Sequence, residues 1–324
     1  LLKKGMMCIA LLWAFASTSS GATVLPDVSA NKFGKLDIMY NNRICPIQTF
    51  AIDFTKKLNG SATYNGYSAE QVLTGFIFWN DEWKNEPIIK VKEDVLRTMF
   101  GLPKYISLNQ LFNKDMGGYI LGPSVEEYYQ GNHDKLHKAV VEIDDKVQLI
   151  MSLRHGEPFK IFPYGKNNNI RWYSPKEKIA QNIDNDRSWF IKNIFTLLNQ
   201  SAHANNYDQF NSFIAKIRIY QEQNGGNSLP SVTQIIAELT YNRIPFASIL
   251  FMLNLTMGFM TLLYSVYRLT SNKIHTYKTN KIISYSSMGM MSISFITLTY
   301  CEILRWIISK SIPMANGYET KLLL

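Results

Sequence analysis

Gly131-Asn-His-Asp134 holds residue types that could do chemistry, because an asparagine and a histidine side by side can ligate a hydrolytic metal centre. A dinuclear centre of that kind draws further ligands from an upstream Asp-x-His and a Gly-Asp-x-x-Asp, and the sequence contains neither. His133 and His137 stand four apart, a spacing that places two ligands on one face of a helix. With five histidines in the chain and no third ligand nearby, that spacing reads better as a solvated helix start than as a metal site. His155 is isolated. No Gly-x-Ser-x-Gly, His-Glu-x-x-His, Cys-x-x-Cys or phosphate loop occurs, so hydrolase, redox and nucleotide chemistry are unsupported.

The three cysteines fall far apart, at Cys8, Cys45 and Cys301, so no bridge is expected within the domain that carries Cys45. Bulky Met7 makes Cys8 a poor lipid acceptor. Cys45, beside Pro46, reads as a buried apolar residue or as a lone reactive thiol. Glu302 and Arg305 are one turn apart and can pair on a helix face, serving a site or reaching toward the interface.

The elements that must position these residues begin with a membrane anchor. Residues 244–267 contain no Asp, Glu, Lys or Arg and are long enough to span a bilayer; residues 282–309 are a second candidate span, whose small residues Ser284, Ser286, Ser287, Gly289, Ser292 and Ser294 suit packing against other membrane helices. Between them Arg268, Lys273, Lys278 and Lys281 meet no acid, which assigns the loop 268–281 to the cytoplasm. Lys3 and Lys4 precede a short apolar run and a small-residue stretch, so residues 1–21 read as a signal-like leader. Residues 22–243 are then an extracytoplasmic domain, and 310–324 an external segment with the truncated start of a further membrane helix. The formal net charge of +9 is concentrated at these membrane flanks, so the domain offers no basic footprint for nucleic acid.

The domain reads as α+β and mostly helical. Residues 36–40 and 43–47 flank Asn41-Asn42 as a hairpin, a helix runs from Gln48 to Leu58, and Ser68-Ala-Glu-Gln71 is a capping box. Phe76, Phe78, Trp79 and Trp83 follow in an aromatic helix, which is either core or a stacking surface for a flat ligand such as a porphyrin. Ile88–Val91 reads as a strand, residues 125–153 as one amphipathic helix, and residues 158–162 and 170–174 as a hairpin. Helices over 188–202 and 207–223 precede a last one, capped by Ser231, that leads into the membrane.

The string from Tyr40 to Phe54, YNNRICPIQTFAIDF, resembles the external region of the fused system II cytochrome c assembly proteins of Bacteroidetes, in which ResB-like and CcsA-like parts share one chain. Strings in the same order agree: Tyr67–Gly75, Pro87–Lys92, Lys160–Pro163, Trp172–Pro175, Leu229–Ser231 and Ala237–Asn242. Arg305-Trp306 and the segment from Ser311 to Glu319 are similar to the CcsA stretch ahead of a further membrane helix, with Ala315 in place of the usual Ser. The resemblance marks Arg43, Cys45, Pro46, Gln48, Thr49, Asp53, Arg305, Trp306, Pro313, Asn316, Gly317, Tyr318 and Glu319 as motif positions. It implies a cytoplasmic-membrane assembly factor for c-type cytochromes, with haem as cofactor and with apocytochrome c, membrane lipid and other transmembrane helices as partners. In that family a tryptophan-rich loop flanked by histidines does the haem lyase work, and it follows the Asn-Gly-Tyr-Glu segment. The chain is accordingly expected to be a fragment without that catalytic region, and neither span carries a histidine as axial ligand. The rival readings are a membrane-anchored periplasmic scaffold or sensor with no haem role, and a tethered hydrolase.

Overall fold

Two asparagines make the first turn, because asparagine tolerates positive φ at little cost. Asn41 and Asn42 adopt φ of 49° and 60° and fold strand β1 (Asp37–Tyr40) back on β2 (Arg43–Pro46) in antiparallel register. The computed structural model of the chain describes residues 21–113, 118–166, 169–178, 183–243, 246–270 and 277–309. The proposed leader with Lys3, Lys4 and Cys8, the loop residue Lys273, and the motif positions Pro313, Asn316, Gly317, Tyr318 and Glu319 lie outside the described residues.

The hairpin follows α1 (Asp27–Gly34) and runs directly into α2 (Ile47–Asn59). Next come α3 (Ala69–Phe78), α4 (Asn80–Trp83), β3 (Ile89–Lys90), α5 (Asp94–Phe100), β4 (Tyr105–Ile106), β5 (Phe112–Asn113) and β6 (Gly118–Tyr119). The remainder is α6 (Gly122–Tyr129), α7 (Lys135–His155), β7 (Phe162–Lys166), β8 (Asn169–Tyr173), α8 (Asn185–His203), α9 (Tyr207–Asn224), α10 (Val232–Arg243), α11 (Phe246–Thr270) and α12 (Tyr277–Ser309). Among the described residues the strands form four separate antiparallel pairs, so the helices carry most of the fold.

Local signals explain several boundaries. Ser68 and Gln71 form the reciprocal capping box at the start of α3, and Gly60, at φ 83°, ends α2 in the left-handed conformation. The expected single helix over 125–153 is two helices. Gly131, at φ 114°, breaks the run, and the Asp134 carboxylate accepts the His137 backbone N–H at 2.8 Å to start α7 afresh. His133 therefore precedes the helix and shares no face with His137. The His137 ring instead lies between Asp134 (2.7 Å) and Glu127 (2.8 Å), which hold the imidazole pKa above its ordinary value and tie α6 to α7. The expected hairpin 158–162/170–174 is displaced to 162–166/169–173. Residues 158–161 turn on themselves, and the Lys160 carbonyl accepts the Met39 N–H of β1.

Helices α2, α3, α7, α8 and α9 enclose one aromatic core that includes Phe33, Phe54, Phe76, Phe159, Phe162 and Phe210. Phe76, Phe78, Trp79 and Trp83 are all buried, so the aromatic helix belongs to the core. Gln221 in α9 bonds Asp37 at both backbone groups, at 3.1 and 2.7 Å, and also the Ile161 carbonyl at 2.9 Å.

Asp37 beside it is buried and accepts from Arg218 at 2.8 Å, while its Oδ1 is buried with no partner among the described residues. Burial outweighs Arg218 and raises this carboxyl from 3.8 to about 6, with Glu222 and Glu238 adding repulsion. An acid whose pKa is raised on folding is more protonated folded than unfolded, so its contribution to stability falls as pH rises from about 4 to about 6. The shift corresponds to about 3 kcal/mol. The unfolding free energies of wild type and Asp37→Asn, measured by denaturant titration, are expected to diverge across that window and run parallel above it. Curves parallel throughout would show that Asp37 does not titrate there.

Two of the helices, α11 and α12, are long and apolar enough to cross a membrane. They present Phe251, Phe259, Met288 and Phe295 outward and pack against each other through Phe246 and Tyr300. Ser294 donates to Asn254 Oδ1 at 3.0 Å, an interhelical hydrogen bond within the span.

Candidate functional site

Where β2 gives way to α2, the chain concentrates side chains that share one partner on a distant helix. Arg43 on β2 donates from Nη1 and Nη2 to Glu238 Oε2 and Oε1 of α10 at 2.8 and 2.7 Å, a bidentate pair. Thr49, in the first turn of α2, donates to Glu238 Oε1 at 2.6 Å and accepts from Asn242 Nδ2 at 2.9 Å. Glu238 is buried, and three donors engage its two oxygens. Arg43 is 38% exposed, and the Glu238 hydrogen bonds hold its guanidinium pKa above the usual value.

The neighbouring motif positions surround this junction. Gln48 donates to Glu70 of α3 at 2.5 Å, which fixes the start of α2 against the aromatic helix. Asp53, one turn further along α2, is hydrogen-bonded by Tyr40; burial raises its carboxyl, and the Tyr40 bond opposes that. Pro46 ends β2 and precedes α2. Arg305 pairs with Glu302 at 3.3 Å, and Trp306 borders a recess shared with Ser231, Thr233 and Gln234 at the start of α10. Helix α10 thus touches β2 and α2 on one side and the end of α12 on the other.

Cys45 is fully buried between Arg43 and Pro46. Burial pushes its thiol up to about 12, well beyond what the nearby Arg43 charge recovers. Of its two readings the apolar one holds, since a protonated thiol is no nucleophile. In a variant whose other cysteines are serine, labelling of native Cys45 is expected to be slow and to become complete in denaturant. Rapid native labelling would overturn this placement.

This arrangement is a clamp between elements. It lacks a nucleophile next to a base, and among the described residues no group of three or more His, Cys, Asp or Glu could hold a metal ion. Its side chains also do not fit haem, because none is an available axial ligand: the thiol is buried and protonated, and no histidine is present. Sequence reasoning missed Glu238 and Asn242 as site residues. The signal lay in the composition of α10, where Glu238 is the one acid in a largely apolar helix.

No family profile matches the chain. Over 296 residues, 90% of its length, it is 25% identical to a Wolinella succinogenes protein named NrfI. The matched part is 32% of that protein, so the chain spans about a third of this relative's length.

Proposed function

We propose that this chain belongs to a cytochrome c assembly protein of the fused ResB/CcsA type and joins its external domain to its first membrane helices. The likeness to NrfI supports cytochrome c biogenesis at the family level. The observation that carries the finer reading is the Arg43–Thr49–Glu238–Asn242 cluster. It bonds two strings, YNNRICPIQT and AELTYN, that are far apart in sequence and that both resemble that family.

In this reading residues 22–243 face the periplasm, the loop 268–281 faces the cytoplasm, and haem and apocytochrome c are partners of the whole protein. The chain's own task is mechanical. A buried carboxylate on α10 holds β2 and α2, and α10 also lies on the end of α12, so the domain cannot swing freely over the membrane helices. Such fixed geometry is what attachment chemistry needs, since orienting two reactants lowers a barrier by several kcal/mol.

The test is genetic. Disrupting this reading frame in its own host is expected to remove haem-stained c-type cytochromes, and the intact frame to restore them. In the same host a reporter active only in the periplasm should work when fused after Gly225 and fail after Asn272. Normal cytochromes in the disrupted strain would end the functional reading, and activity at Asn272 would reverse the orientation.

A further inference from the structure

A recess of about 380 Å³ opens beside the C-terminal end of α7. Phe76, Phe78, Phe159 and Phe195 line it, and Phe159 and Phe195 lie 5.7 Å apart between ring centres. Arg154 and Lys176, both exposed, stand on its rim. Asn80 borders the same recess, with its Nδ2 committed to the Phe76 carbonyl at 3.2 Å and its Oδ1 buried without a partner among the described residues.

The charge at the mouth decides what such a recess prefers. The C-terminal end of a helix contributes roughly half a negative charge. Lys176 Nζ sits 3.4 Å from the Arg154 carbonyl and offsets it, and the Arg154 guanidinium adds a second positive charge at the mouth. No acid lines the recess; outside it Asp81 pairs with Lys84 at 2.8 Å and also feels the Arg154 charge, and Glu177 pairs with Arg171. The volume lies at the low end of the roughly 300–1,000 Å³ typical of ligand sites, which sets the size of the occupant at one or two fused rings.

We infer that this recess is a binding site for a small aromatic carboxylate, with its ring body among the four phenylalanines and its carboxylate between Arg154 and Lys176. The inference is independent of the cytochrome reading, because it uses no residue of the junction and no property of haem. Aromatic walls supply the apolar contact, and a rim guanidinium supplies the bidentate match to a carboxylate.

The probes are naphthalene-2-acetate and its primary amide, which has the same shape without the charge. Each is titrated calorimetrically into the full chain in lipid nanodiscs, with empty nanodiscs as reference. The acid is expected to bind at least ten-fold more tightly than the amide. The double variant Arg154→Gln/Lys176→Gln, which changes only exposed side chains, should weaken the acid at least ten-fold and leave the amide unchanged. Thr196→Trp, an exposed change on the same wall, should block both. Absence of acid binding, equal affinity for acid and amide, or a double variant that binds the acid like wild type would each overturn the assignment.

Discussion

Glu238→Ala is expected to lower the stability of the chain by about 2 kcal/mol and to reduce haem-stained cytochrome in the host assay. Removing one partner of a fully buried ion pair costs about 3–5 kcal/mol, because the remaining charge is left without compensation. Here the remaining charge is Arg43, which at 38% exposure regains water, so the lower figure applies. Thr49 also loses its acceptor, although it keeps the Asn242 bond. For a domain of this size the loss corresponds to a melting shift of about 4–8 °C. Glu238→Gln keeps the shape and one acceptor oxygen and should cost less. Arg43→Ala added to Glu238→Ala should cost less than the sum of the two single changes, since both remove the same bonds. The control is Ile236→Ala, an exposed position on the same helix. If Glu238→Ala melts where Ile236→Ala melts, the junction does not hold the fold together.

Gly75→Ala is expected to destabilise by about 3 kcal/mol, although alanine favours a helix over glycine by about 1 kcal/mol. A Cβ at this position would lie 2.2 Å from Cε2 and 2.3 Å from Nε1 of Trp83. The indole cannot retreat. It is fully buried, packs on Phe76 at 5.2 Å between ring centres, and donates from Nε1 to the Thr23 carbonyl at 2.8 Å. Moving it breaks that hydrogen bond as well as the packing. Thermal melting of Gly75→Ala alone and with Trp83→Phe measures this, and the smaller ring should recover part of the loss. A Gly75→Ala protein more stable than wild type would mean that helix propensity outweighs packing and that the indole does not lie over Gly75.

The sequence by itself determined those features whose causes are local. The Asn41-Asn42 turn and the Ser68/Gln71 capping box each depend on residues within a few positions, and both form as read. The two long apolar segments are legible as well, because length and apolar composition define them. Reading failed where a local signal met a competing one. The period of the 125–153 run hid the break at Gly131 and the fresh cap at Asp134, and residues 158–161 turn through local backbone bonds, Lys160 to Pro158 and Ile161 to Phe159, where a strand is expected.

Only the tertiary structure decided the rest. The resemblance marked Arg43 and Thr49 as motif positions, but no property of those residues identifies their partners. Glu238 and Asn242 lie about 190 residues further on, where the chain returns through α10. Cys45 is likewise ambiguous from its neighbours, since a thiol beside an arginine could be reactive, and burial settles it by raising the thiol to about 12. A hydrogen bond or a desolvation penalty depends on what lies within a few ångströms in space, and packing sets that distance whatever the separation along the chain.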